Sequence, residues 1–247
     1  MNIIVPMAGS DQLFKDSGYN FPKNLIEVMD KPLIQHVFES LNKVSNANLT
    51  FIIRKEEQER YHTDGVLKLI NPDCKVITTE GNTAGAACTV LLAIEDINNE
   101  DSLLITNGDQ IILEDMQKIV SYFQERNLDG GIVTFESIHP RWSYALLDND
   151  GYVIETAEKR PISKNATAGV YYFKHGRDFV SACIEMIKKG ASVDGKYFVC
   201  PVYNEMILKQ KKICVYKIER EQYRSLAVPQ DIVSYEKYLL KQMEGEK

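Results

Sequence analysis

The sequence predicts an α/β fold, a mixed and mostly parallel sheet flanked by helices, and three observations carry that expectation. From Ile3 to Thr106, short strand-like runs alternate with segments of helical period, the rhythm of a parallel sheet. Two of those runs, Asn2–Val5 and Leu103–Thr106, read as strands buried on both faces. Beyond Asp115 the rhythm gives way to alternating runs joined by Asp148-Asn149-Asp150-Gly151, a hairpin signal that predicts a small β annex.

Taken in order, strand Ile3–Pro6 breaks into a loop that holds Gly9 and ends at Pro22-Lys23. The segment Leu33–Val44 is an amphipathic helix, with Leu33, Ile34, Val37, Phe38 and Leu41 on one face. Leu49–Ile53 reads as the second strand, Glu56–Leu69 as a polar helix and Lys75–Thr79 as the third strand. Helix Ala86–Ile97 precedes strand Leu103–Thr106. The second half predicts helix Met116–Glu125, a strand at Gly131–Glu136, and the hairpin Ser143–Leu147 with Tyr152–Glu158. Strand Ala168–Phe173, helices at Asp178–Lys188 and Val202–Lys209, strand Ile213–Ile218 and helix Ile232–Met243 complete it. Residues Glu244 to Lys247 read as a frayed tail.

At 247 residues the chain can bury a full core as a single domain. A net charge of −6 without a basic block argues against a nucleic-acid partner. No leader-like segment precedes the first strand and no apolar run approaches a membrane span, so the expectation is a cytoplasmic protein without a membrane partner. Five cysteines, none in a CxxC pair, and four dispersed histidines fit reduced thiols rather than disulfides or a zinc site.

In parallel sheets ligands gather outside the carboxyl ends of the strands, so the loops there carry the chemistry. The loop after Val5 frees backbone N–H groups to approach an anion, and Lys23 adds charge, as holding a nucleoside triphosphate requires. Asp109 follows strand Leu103–Thr106 directly, where a carboxylate can hold Mg²⁺ against phosphate oxygens. Asn107-Gly108-Asp109 is equally ordinary turn chemistry. The small residues of Thr79–Ala87 let a flat base lie close to the backbone, with Glu80 or Thr83 reading its edge; Thr83 could also be a plain helix cap. At Glu158-Lys159-Arg160 the basic pair could bind an acceptor phosphate, while a charged strand end is the simpler alternative.

In this order the pieces resemble the sugar-phosphate nucleotidylyltransferases, of Rossmann-like nucleotide-diphospho-sugar transferase fold. The shared series is Ala8-Gly9, Pro22-Lys23 with Leu25–Val28 and Lys31–Ile34, Thr83–Ala87, Asn107–Asp109, Glu158-Lys159 and Gly169–Phe173. The runs His139–Ala145 and Tyr197–Asn204 look most like small capsule-associated members. The resemblance implies a nucleotide-binding half (1–115) and an acceptor-binding half (116–247) in one domain. It implies in-line attack of an acceptor phosphate on the α-phosphorus of an NTP, with release of pyrophosphate. CTP is favoured by the likeness, with no residue demonstrating base choice. Lys23, Asp109 and Lys159 would be catalytic, with Asp109 as the ligand of an Mg²⁺ cofactor. Met7, Ala8, Gly9, Ser10, Lys23, Glu80, Thr83, Gly85, Ala86, Asn107 and Gly108 would bind nucleotide. Tyr144, Glu158, Lys159, Thr167 and Gly169 would bind the small phosphorylated acceptor.

Three positions depart from the family pattern. Asp11 replaces a glycine of the phosphate loop, Leu13 replaces an arginine that grips the triphosphate, and Ser225 stands where relatives carry a second metal-binding aspartate. An aspartate there repels a triphosphate unless it turns outward or meets a cation; Lys15 could supply the missing charge, and Asp231 reads as a helix cap. Alternatives therefore remain: a UDP-, GDP- or dTDP-sugar pyrophosphorylase, or a weakly catalytic nucleotide-binding regulator. A glycosyltransferase would call for a carboxylate pair where the Asn107–Asp109 turn supplies one. The sequence leaves the acceptor and a homo-oligomeric state open.

Overall fold

A computed structural model describes residues 1–41 and 44–245. The first half runs β1 (Asn2–Pro6), α1 (Gln12–Asp16), a 3₁₀ turn (Lys23–Leu25), the short ribbon β2 (Glu27–Val28) and β3 (Lys31–Pro32), and α2 (Leu33–Leu41). It continues through β4 (Asn48–Arg54), α3 (Lys55–Tyr61), α4 (Thr63–Ile70), β5 (Lys75–Thr79), α5 (Ala86–Val90), α6 (Ile94–Ile97) and β6 (Leu103–Thr106). The second half runs β7 (Gln110–Ile112), α7 (Met116–Glu125), β8 (Gly130–Glu136), β9 (Ser143–Leu147), β10 (Val153–Glu158) and β11 (Asn165–Phe173). Then come α8 (Gly176–Lys188), α9 (Val202–Leu208), β12 (Ile213–Lys217), β13 (Tyr223–Ser225) and α10 (Pro229–Gly245).

One mixed sheet forms the frame, in the order β10-β9-β11-β6-β1-β4-β5, with β8 joined to β11 and β12 to β8. Strands β6, β1, β4 and β5 are parallel, and β11 runs antiparallel to β6. The carboxyl ends of β1 and β6 therefore lie side by side, and the amino end of β11 lies beside them. The two-residue period of the strands sorts their side chains between two cores. Ile3, Val5 and Leu104 face the core with α2 and α7, whereas Ile4, Leu103 and Ile105 face the one with α8 and α9.

The predicted α/β class and mostly parallel sheet hold, and several elements differ in detail. The segment expected as one helix at Glu56–Leu69 is two, because His62 adopts a left-handed backbone (φ 52) that ends α3. The helix expected at Ala86–Ile97 is α5 and α6 with a 3₁₀ turn between them. Helix α2 is described to Leu41; Asn42 and Lys43, within the expected span to Val44, lie outside the described residues. Helix α10 starts at Pro229 and includes Glu244 and Gly245, which were expected to fray; Glu246 and Lys247 lie outside the described residues. The predicted hairpin turn forms, with Asp148 Oδ1 accepting from the N–H groups of Asp150 and Tyr152 and Gly151 at φ 85. Not anticipated was the ribbon β7–β13, which pairs Gln110 with Ser225 across more than a hundred residues of sequence. No helix among the described residues is long and apolar enough to cross a membrane.

Candidate active site

Where β1 and β6 end, a cleft of about 610 Å³ opens, lined from both halves of the chain. Pro22 leads into the 3₁₀ turn that presents Lys23, whose Nζ donates to Asp109 Oδ2 at 2.8 Å. Asp109 follows β6 through a close turn: a Cβ on Gly108 would approach Met7 Cγ to 2.6 Å. From the far side, Leu226 N–H bonds the Asp109 carbonyl at 2.8 Å, tying it to β13. Burial works against the Lys23 charge, but the Asp109 carboxylate outweighs it, helped by Asp11 and Glu57, and the ammonium is held above its ordinary pKa.

Beneath the loop after β1 lies a buried charge network. The Asp11 carboxylate, 3% exposed, is paired with the Arg54 guanidinium at the end of β4. Arg54 also bonds Glu57 at 3.0 Å, and Asn24 Nδ2 donates to the other Glu57 oxygen at 3.2 Å. The Asp11 carboxylate does not turn outward; it is buried and meets a cation, the Arg54 guanidinium. Burial first, and Asp11 second, push the Glu57 carboxyl above its usual range, with Arg54 opposing them. Leu13 is exposed, and Lys15, also exposed, is not among the cleft-lining residues.

Met7, Ala8, Gly9 and Ser10 line the cleft, as do Asn107 and Gly108. So do Thr83, Gly85 and Ala86 on the loop before α5. Gly85 takes φ 118, and a Cβ there would lie 2.7 Å from Tyr197 N, so only glycine lets the 194–199 loop close against it. Backbone bonds Tyr197 N–H to Ala84 O (2.7 Å) and Ala87 N–H to Tyr197 O (3.0 Å) seal that contact. Thr83 does not cap α5; its hydroxyl meets the Gly85 carbonyl and, at 2.6 Å, the Thr89 hydroxyl. Glu80 is a correction. It lies outside the cleft, exposed and paired with Lys55 at 2.7 Å, because the loop turns its side chain toward α3.

From the second half of the chain, Glu158, Lys159, Thr167 and Gly169 line the same cleft. The Ser143 hydroxyl donates to the Glu158 carboxylate, whose pKa burial nevertheless raises. Lys159, at φ 53, has its ammonium 3.3 Å from Asp194 Oδ2. Strand β11 shifts register against β8 between Thr167 and Tyr171, with Gly169 at φ 64 in that bulge. A Cβ on Gly169 would run into the side chains of Asn107 and Gln110. Tyr144 is the second correction: it is fully buried, and its hydroxyl donates to the His139 carbonyl at 2.6 Å, anchoring the loop before β9. Sequence reasoning did not assign Arg141, Lys196, Phe198, Tyr223 or Asn24, all of which line the cleft. The Arg141-Trp142 pair just ahead of a strand was the available signal; the others reach the cleft only through tertiary packing.

No cluster of three His, Cys, Asp or Glu side chains suited to a resident metal occurs among the described residues. The donors near Asp109 are nonetheless hard oxygens. Ser225 lines the same cleft and donates to Asp231 Oδ2 at 2.5 Å, and the amide of Gln110, next to Asp109, is buried without a partner. Among the described residues no His or Cys lines the cleft. Magnesium commonly takes one carboxylate together with other oxygen donors, and the donor set around Asp109 fits that chemistry.

The Nucleotidyl transferase family profile matches residues 15–198, and the chain belongs to that family. It is 26% identical over 245 residues to the bifunctional protein GlmU of Methanocaldococcus jannaschii, covering 97% of this chain and 54% of that protein. It is 25% identical over 182 residues to the low-salt glycan biosynthesis nucleotidyltransferase Agl11 of Haloferax volcanii, covering 70% and 49%. The chain thus spans about half the length of the curated relatives it matches. The fold is shared with a nucleoside-diphosphate-sugar pyrophosphorylase from Vibrio cholerae, at a TM-score of 0.82 and 24% identity over 96% of this chain and 100% of that one.

Proposed function

We propose that this chain is a nucleotidyltransferase in which a phosphate oxygen of a small acceptor attacks the α-phosphorus of an NTP in line. The new P–O bond forms as the bond to pyrophosphate breaks. The observation that carries this reading is the Lys23–Asp109 pair at 2.8 Å in the same cleft that Lys159 lines. Phosphoryl chemistry of this kind needs positioning and charge neutralisation rather than a covalent intermediate.

The nucleotide is assigned to residues 1–115 and the acceptor to residues 116–247. Backbone N–H groups of Gly9 and Ser10 meet the phosphates, and Thr83, Gly85 and Ala86 surround the base. Lys23 neutralises charge that builds on the α-phosphate, and Asp109 keeps that ammonium charged. Asp109 would hold a divalent ion, which would supply charge neutralisation for the phosphates. Lys159 binds the acceptor phosphate, while Glu158 accepts hydrogen bonds from acceptor hydroxyls.

The acceptor class best supported is a sugar phosphate, because the Vibrio protein of like fold is named a nucleoside-diphosphate-sugar pyrophosphorylase and the Haloferax relative serves glycan biosynthesis. The CTP and capsule assignment rests on the family likeness of a few motifs, and these relatives do not single it out. Pyrophosphate release across CTP, UTP, ATP and GTP, with sugar 1-phosphates and other phosphorylated acceptors, tests the whole reading. Release from one pair, abolished by chelation of Mg²⁺, is expected. Silence from every pair, with nucleotide still bound, favours the regulatory alternative that Leu13 and Ser225 motivate.

A further inference from the structure

The loop between β8 and β9 carries a guanidinium with no assigned role. Arg141 lines the cleft, with its guanidinium carbon 3.9 Å from the centre of the Trp142 ring. Trp142 is itself braced edge-on against Phe135 and Tyr223, each ring centre 5.4 Å away, and Phe135 and Tyr223 stack at 4.8 Å. The loop is tied down by Tyr144 through the His139 carbonyl, by Arg141 N–H to His139 Nδ1 at 3.2 Å, and by Lys159 N–H to Trp142 O at 3.0 Å. Arg141 is therefore presented on a rigid aromatic shelf and coupled through backbone to Lys159.

Its charge is unspent. Among the described residues no carboxylate lies within ion-pair distance of Arg141, and no side-chain hydrogen bond leaves its guanidinium. Lys23 is paired with Asp109, and Lys159 approaches Asp194. Burial raises the Tyr223 phenol most; the Asp109 and Asp231 carboxylates raise it further, and Arg141 and Arg220 lower it. A planar guanidinium stacked on an indole, with its N–H fork free, matches phosphate geometry as an ammonium does not.

We propose that Arg141 is a phosphate-binding residue of the cleft, its guanidinium held on Trp142 to make a bidentate bond to a substrate phosphate. The inference rests on the phosphate-transfer reading for its ligand. Two phosphate sources share the chemistry, the acceptor and the pyrophosphate portion of the NTP, and the test separates them.

Calorimetric titration of wild type, Arg141→Lys and Arg141→Met with inorganic phosphate and inorganic pyrophosphate reads binding without turnover. The expected result is a loss of about ten- to a hundredfold in Arg141→Met for at least one anion, with partial recovery in Arg141→Lys, at unchanged melting temperature. In steady state, a higher KM for the acceptor assigns the contact to the acceptor phosphate, and a higher KM for the NTP assigns it to the pyrophosphate portion. Arg141→Met binding both anions like wild type, or wild type binding neither, overturns the proposal. Wild type that turns over no pair yet binds pyrophosphate through Arg141 sinks the reaction reading and leaves this one standing.

Discussion

The two walls of the cleft handle charge in opposite ways. On the wall from residues 1–115, the partly buried Lys23 is paired with the partly buried Asp109, and beneath that wall Asp11 and Glu57 are buried on Arg54, with Asn24 closing their network. On the wall from residues 116–247, Lys159 is about half exposed against an even more exposed Asp194, and neither Arg141 nor Lys196 has a carboxylate partner among the described residues. A buried pair fixes geometry and is costly to break, whereas an exposed cation holds its charge ready for an anionic ligand. The first wall is preorganised by its own residues; the cations of the second stand exposed.

That contrast predicts a graded series. Arg54→Met should have the largest effect, leaving Asp11 and Glu57 buried without a cation at a cost of about 3–5 kcal/mol in urea unfolding. Full stability in that variant would show the network to be dispensable. Next, Lys23→Ala or Asp109→Asn should lower kcat by about 10²- to 10³-fold while the melting temperature shifts little. A parallel collapse of folding and activity would erase the distinction between the two pairs.

Across the cleft, Lys159→Met should cost about ten- to a hundredfold in kcat/KM for the acceptor and leave the KM for the NTP unchanged. The opposite split would exchange the roles of the two walls. The pH profile gives a subtler separation. Burial raises the Glu158 carboxyl above its ordinary 4.5, so it stays protonated to higher pH than a free carboxyl does. Acceptor kcat/KM should rise through a limb displaced upward from 4.5, and that limb should vanish in Glu158→Gln. The smallest effect belongs to Asp194→Ala, where an exposed pair is removed and stability should change by less than about 1 kcal/mol.

The fold was legible where hydrophobic periodicity speaks for itself. The buried runs at Asn2–Val5 and Leu103–Thr106, and the amphipathic stretch from Leu33, needed no partner to declare their structure. Breaks that depend on a single backbone angle, such as His62 between α3 and α4, leave no periodic trace and were missed. Loops placed by those strands were read to the right end of the sheet. Within them, side-chain direction was not readable: Glu80 turns to Lys55, and Tyr144 turns into the core to hold the loop of Arg141.

The order of apolar runs and turn residues by itself determined an α/β sheet with its loops gathered at one edge, because strand and helix periods are local properties of the chain. Only tertiary structure decided which charges meet. Arg54 reaches Asp11 from the end of a neighbouring strand, and β13 comes back across more than a hundred residues to place Ser225 beside Gln110. Those pairings depend on how strands lie side by side, and that distance is set by packing and not by position in the sequence.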